Sequence, residues 1–128
     1  MTRIGMFTYS TQPRGSVVHA LHLAEALQRL GHEVTLFALS KNGSRFWREV
    51  ACEVALMPAE EAPAELDALI AQRIAEVARG LSARAPALDL LHAQDCLVAN
   101  ALIEARRSQP ALSSCPLVRA RPPSPGSG

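Results

Sequence analysis

Tyr9-Ser10-Thr11-Gln12-Pro13-Arg14-Gly15-Ser16 leads from a short apolar run, Ile4 to Thr8, into an amphipathic segment that ends at Leu30-Gly31-His32. A β-leaning run, Glu33 to Leu39, follows directly. This order of strand, broken turn, helix and strand is a β-loop-α-β unit, and it decides the fold class. The helix is expected over Val17 to Leu30, with Ser16 as its N-cap. Val17, Ala20, Leu21, Ala24 and Leu27 share one face, which Leu23, Ala26 and Leu30 widen. His19, His22, Glu25 and Arg29 form the opposite, wet ridge, with His19 in the first turn. Gly31 stands where a left-handed C′ residue closes a helix, so the two strands are expected to be parallel.

Working outward, Ser40 to Arg45 reads as a polar loop and Val50 to Met57 as a third strand. Pro58 to Pro63 is acidic and proline-bounded. Ala64 to Arg84 is helical by the spacing of Leu66, Leu69, Ile70, Ile74, Val77 and Leu81, weakened or cut short at Gly80. Asp89 to Ala93, entered from Pro86, is a fourth strand. Asp95 caps a helix over Cys96 to Arg107, and Leu117-Val118 opens a fifth strand. The composition then turns to proline, glycine, serine and arginine, so residues 1–118 are expected to form the domain and residues 119–128 a disordered or frameshifted tail. Strands alternating with helices predict an α/β, doubly wound, Rossmann-like parallel sheet, here incomplete. Ligands of such sheets collect outside the carboxyl ends of the strands, at Tyr9 to Ser16, Ser40 to Arg45, Pro58 and Gln94-Asp95.

Composition narrows the function classes. The 128 residues, 48% of them hydrophobic, suffice for one core. Thirteen basic against twelve acidic side chains, with no long block of either sign, give no footprint for nucleic acid. Cys52, Cys96 and Cys115 form no C-x-x-C pair, and are expected to be reduced, buried thiols. Neither a signal peptide nor an apolar run of membrane-spanning length is present, so a cytoplasmic location is expected.

Each candidate site residue admits a plain structural reading beside a functional one. Arg14, Gly15 and Ser16 suit a phosphate or a cluster of sugar hydroxyls at a helix N-terminus, or make an ordinary βα turn. A full G-x-G-x-x-G fingerprint is missing, and Ala38-Leu39-Ser40 offers no ribose-binding carboxylate, which argues against a nicotinamide or flavin cofactor. His19 and His22 have the spacing of a metal pair but no third ligand nearby, so no metal is expected. His92 and Asp95 bracket the end of the fourth strand, where they can meet substrate hydroxyls or move a proton. Equally, His92 suits a core histidine bonded to a backbone carbonyl, and Asp95 a helix cap. No catalytic triad or paired carboxylates are legible, and the first strand is not followed by the acidic cluster of a receiver domain.

Taken together, Thr8-Tyr9-Ser10-Thr11-Gln12-Pro13-Arg14-Gly15-Ser16-Val17-Val18-His19, Leu23-Ala24-Glu25-Ala26-Leu27, Gly31-His32-Glu33-Val34-Thr35 and Leu90-Leu91-His92-Ala93-Gln94-Asp95 resemble the N-terminal domain of a group 1 (family 4) glycosyltransferase. The likeness runs from about Arg3 to Val118. It implies the N-terminal half of a GT-B enzyme that transfers a hexosyl group, with retention and without a metal, from a nucleotide-sugar substrate to an acceptor. Arg14, Gly15 and Ser16 would then approach the donor diphosphate, while Tyr9, His19, His92, Gln94 and Asp95 would border the acceptor pocket. No cofactor besides the donor is implied. Peripheral membrane contact of a full-length enzyme and self-association of a fragment fit the same picture. Ser16 stands where the family has a second glycine, the family's histidine after the fifth strand has no counterpart, and a donor-binding domain with paired glutamates is not expected within these 128 residues. These departures lead to the expectation of a reading frame broken near Arg119 and of a fragment inactive by itself. The alternative is a stand-alone flavodoxin-like module that binds a small phosphorylated ligand through the Gly15 loop.

Overall fold

The computed structural model describes residues 2–82, 88–108 and 116–119. The elements run β1 (Arg3–Thr8), α1 (Gly15–Arg29), β2 (Glu33–Lys41), β3 (Glu53–Ala59), α2 (Leu66–Ser82), β4 (Leu90–Ala93), α3 (Cys96–Ser108) and β5 (Leu117–Arg119). Five strands make one sheet in the order β3-β2-β1-β4-β5, and every pairing is parallel. This is the doubly wound order, with its switch point between β1 and β4. Arg119 closes β5. Residues 120–128, Cys115, Pro86 and the expected helix end at Arg84 lie outside the described residues.

Alternation along the strands sorts the core into two layers. Ile4 and Met6 of β1 and Val34 and Leu36 of β2 pack under Val17, Ala20, Leu21 and Ala24 of α1. Phe7, Phe37, Leu39, Met57, Leu91 and Ala93 pack on the other face, under Val77 and Leu81 of α2 and Val98 and Leu102 of α3. The period of two that sends neighbouring side chains to opposite faces therefore puts one helix below the sheet and two above. Phe7 and Phe37 are register partners, and their rings stack at 4.4 Å between centroids.

Several local expectations are corrected. Helix α1 starts two residues earlier than its pattern suggested, with Arg14 as N-cap, so Ser16 lies inside the helix and no side chain caps it. The same shift moves His19 beyond the first turn. Leu30 is 74% exposed, because the helix has ended there and Gly31, at φ +99°, turns the chain away. Glu25 leaves the wet ridge to grip Arg48. Ser40, Lys41 and Pro58 belong to strands rather than loops, Pro58 being tolerated because β3 is an edge strand. Gly80 neither ends nor interrupts α2, whose exposed first turns carry Leu66 and Ile70 outside the core. Cys52 is half-buried and Cys96 exposed.

Candidate functional site

Past Thr8 the chain cannot continue in the sheet, because it must turn back to lay α1 beneath it. Gln12 N donates to Ser10 Oγ at 3.0 Å and Arg14 N to Gln12 O at 2.7 Å, which folds Tyr9 to Arg14 into a compact bend. Arg14 is extended (φ −91°, ψ 159°), and the first turn of α1 contains no acidic residue. The positive end of the helix is thus left to other partners. A Cβ added at Gly15 would meet nothing within 4 Å, so the space above this residue is open.

Beside this bend, β2 ends in a tight reversal. Ser44 N donates to Lys41 O at 3.0 Å across Asn42 (φ 54°) and Gly43 (φ 72°), both left-handed, as a two-residue turn of primed type requires. Ser40 Oγ donates to Ser44 O at 2.6 Å and Ser44 Oγ to Lys41 O at 2.7 Å, fixing Lys41 and Ser44 at the sheet's carboxyl edge. From α2, Arg73 reaches the same place. A cavity of about 200 Å³ results, lined by Tyr9, Ser10, Arg14, Lys41, Ser44 and Arg73 among others.

At the switch point, Gln94 N donates to Phe7 O at 3.2 Å and ties the ends of β1 and β4 together. His92 Nε2 and Gln94 Oε1 lie 3.1 Å apart, so the histidine is satisfied by a side chain rather than by a backbone carbonyl. Asp95 caps α3 as expected, its Oδ1 accepting from Val98 N at 3.0 Å. Its Oδ2 is buried without a hydrogen-bond partner among the described residues. Burial pushes the Asp95 carboxyl above its ordinary value, with backbone amides opposing the shift. A second, mostly apolar cavity of about 460 Å³ opens here, lined by Tyr9, Ile70, Asp95, Cys96, Leu97 and Asn100.

Tyr9 is therefore the wall shared by two cavities at the carboxyl edge. Of the residues expected at the site, the structure joins Tyr9 and Arg14 in the smaller cavity and Tyr9 and Asp95 in the larger. Gly15, Ser16, His19, His92 and Gln94 line neither; His19 stands exposed on α1. Arg73 and Ile70 were missed, whereas Lys41 falls within the Ser40 to Arg45 segment expected at the carboxyl edge but was not singled out. Ile70 carries the spacing of a core residue and only the packing reveals its exposure. For Arg73 the one available signal is Glu76, three residues on, which it contacts from Nη1 to Oε1 at 2.7 Å with both side chains buried.

Comparison with known proteins bears on the family. The family model of the glycosyl transferase 4-like domain matches residues 14–124. No curated protein sequence matches the chain. Among solved structures, the chain is similar to a protein of the universal stress protein family from Burkholderia pseudomallei, at 12% identity and a TM-score of 0.49, covering 93% of this chain and 95% of that one.

Proposed function

Because the chain belongs to the glycosyl transferase 4-like domain family, we propose that it is the acceptor-side domain of a retaining glycosyltransferase of the two-domain GT-B type. Such an enzyme moves a hexosyl group from a nucleotide sugar to an acceptor hydroxyl, with the donor as substrate and no metal. The observation that carries this reading is the pair of cavities flanking Tyr9 at the carboxyl edge, where a doubly wound sheet takes its ligands. The larger one offers an apolar wall for a sugar or polyol ring, with Asp95 and Asn100 as the polar residues of its lining. His92, held through Gln94, positions the end of β4 rather than touching the acceptor.

Gly15 and Ser16 play the donor-facing part, while Arg14 lines the smaller cavity. Open space above Gly15 and an uncapped helix end suit the close approach of a diphosphate from the opposing domain. One sheet forms one wall of a cleft, so the described domain binds acceptor without transferring sugar by itself.

Thermal melts with a panel of ligands test the reading, since any ligand that binds the native state raises the melting temperature. Hydroxyl-bearing acceptors, meaning sugars, polyols and their phosphates, are expected to stabilise the domain more than nucleoside diphosphates or nucleotide sugars do. A nucleotide sugar that outperforms every acceptor would overturn it.

A further inference from the structure

The smaller cavity has an electrostatic character that the acceptor-side reading does not require. Its charged lining residues are Arg14, Lys41 and Arg73, and among the described residues no carboxylate lines it. Tyr9, Ser10, Thr11, Gln12 and Ser44 are the other polar residues of the lining.

Arg73 is the strongest sign of a ligand. The residue is only 8% exposed, and all of its hydrogen bonds among the described residues run through Nη1, to Glu76 Oε1 at 2.7 Å and to Glu60 O at 3.0 Å. A guanidinium carries five N–H donors in a rigid fork, so the Nε and Nη2 donors of this cation have no hydrogen-bond acceptor among the described residues. Glu76 offsets the charge of Arg73 and also accepts the Glu60 amide, which holds the pair in place. Arg14 and Lys41 make no ion pair among the described residues and add two uncompensated positive charges. A volume of about 200 Å³ is small for a nucleotide or an oligosaccharide but ample for one oxyanion.

We propose that this cavity binds the phosphate group of a phosphorylated acceptor, such as a sugar or polyol phosphate, whose ring lies across Tyr9 toward Asp95. The inference rests on the acceptor-side reading and names the acceptor's chemical class. Arg73 and Arg14 fork onto the oxygens, Lys41 supplies a point charge, and Ser10, whose Oγ accepts from Gln12 N and keeps its own proton to donate, belongs to the same lining. The ester oxygen of the ligand points out along Tyr9, the wall common to both cavities.

Titration calorimetry of the purified chain with glucose 6-phosphate, inositol 1-phosphate, their unphosphorylated parents and inorganic phosphate decides the matter. At least one phosphate ester is expected to bind more tightly than its parent and than inorganic phosphate. Lys41→Gln and Arg14→Gln, both at exposed positions that the core does not use, should each weaken that ester about tenfold. Arg29→Gln makes the same change of net charge at the far end of α1 and should leave the affinity unaltered. Inorganic phosphate binding as tightly as the esters would mean a free oxyanion is the ligand and would overturn the assignment to an acceptor. Equal binding of ester and parent, indifferent to Lys41→Gln and Arg14→Gln, would overturn the phosphate pocket while leaving the acceptor-side reading intact. Failure of that reading has its own signature, a nucleotide sugar stabilising the domain above all acceptors.

Discussion

Gly80 of α2 lies so close over Met57 of β3 that a Cβ on the glycine would sit 2.5 Å from the methionine Cγ and 2.6 Å from its sulfur. Met57 is buried, at 2% exposure, so the helix can lie this near the sheet only where it has no side chain. Close approach, rather than helix termination, is the reason for this glycine.

Gly80→Ala should therefore destabilise the domain by about 1–2 kcal/mol, the overpacking cost exceeding the helix-propensity gain. In a Met57→Ala background the same substitution should cost much less, because the clash partner is gone. Urea melts of the four proteins in the cycle check this, and additive effects would contradict it.

The ion pair between α1 and the β2–β3 connection makes a pH-dependent contribution. Arg48 Nη2 donates to Glu25 Oε1 at 2.8 Å, while Arg48 Nη1 and Ala51 N each donate to Oε2 at 2.9 Å. The Arg48 guanidinium, then the Ala51 amide, pull the Glu25 carboxyl from 4.5 down to about 2. A depressed folded value means stability that is complete above about 4.5 and is lost as the pH falls toward about 2. Glu25→Gln should lower stability at pH 7 by roughly 1–3 kcal/mol and flatten the acid limb of the stability profile. An unchanged acid limb in the variant would refute the assignment.

Asp95 behaves in the opposite sense. Its carboxyl is raised by burial, so the folded state binds the proton more readily than the unfolded state. Stability then declines as the pH rises from 3.8 through the raised value, and at neutral pH the ionised group costs free energy. Asparagine keeps the cap to Val98 without the charge. Asp95→Asn should match or exceed the parent's stability at pH 7, whereas Asp95→Ala should lose about 1 kcal/mol with the cap. Chemical melts at pH 7 distinguish them, and equal losses in both variants would refute the argument. If Asp95 meets the acceptor, both variants weaken acceptor binding whatever they do to stability.

Gly15 separates folding from ligand approach. No neighbour and no left-handed φ demands glycine here. Gly15→Ala should leave stability unchanged or raise it by up to about 1 kcal/mol. A loss beyond 1 kcal/mol would show that the protein itself, rather than a ligand, needs the open space.

The β1-α1-β2 unit was legible because helix and strand patterns there are long and punctuated by Gly31, whose left-handed conformation the structure shows. Asp95 as a cap was legible from its place before a helical run. Ser16 misled, because a good capping residue stood one step inside a helix that starts at Gly15 without any side-chain cap. Lys41 was legible only as part of the Ser40 to Arg45 segment at the sheet edge, and its meeting with Arg73 was not. They come from different elements and meet only because β2 runs on to Lys41 and α2 crosses above its end, a relation of topology that no local pattern encodes. Tyr9 was correctly placed at the sheet edge, but its position between two cavities depends on the same assembly.

The most direct test of the central claim is to map where an acceptor binds, by amide chemical-shift perturbation in the isotopically labelled chain titrated with the acceptor that stabilises it most. The account predicts shifts concentrated at Tyr9 to Ser16, Lys41 and Gln94-Asp95, at the carboxyl edge of the sheet. Shifts clustered instead at the amino edge, around Arg3, Glu33 and Asp89, or in the cavity lined by Arg45, Phe46 and Val54 would contradict it.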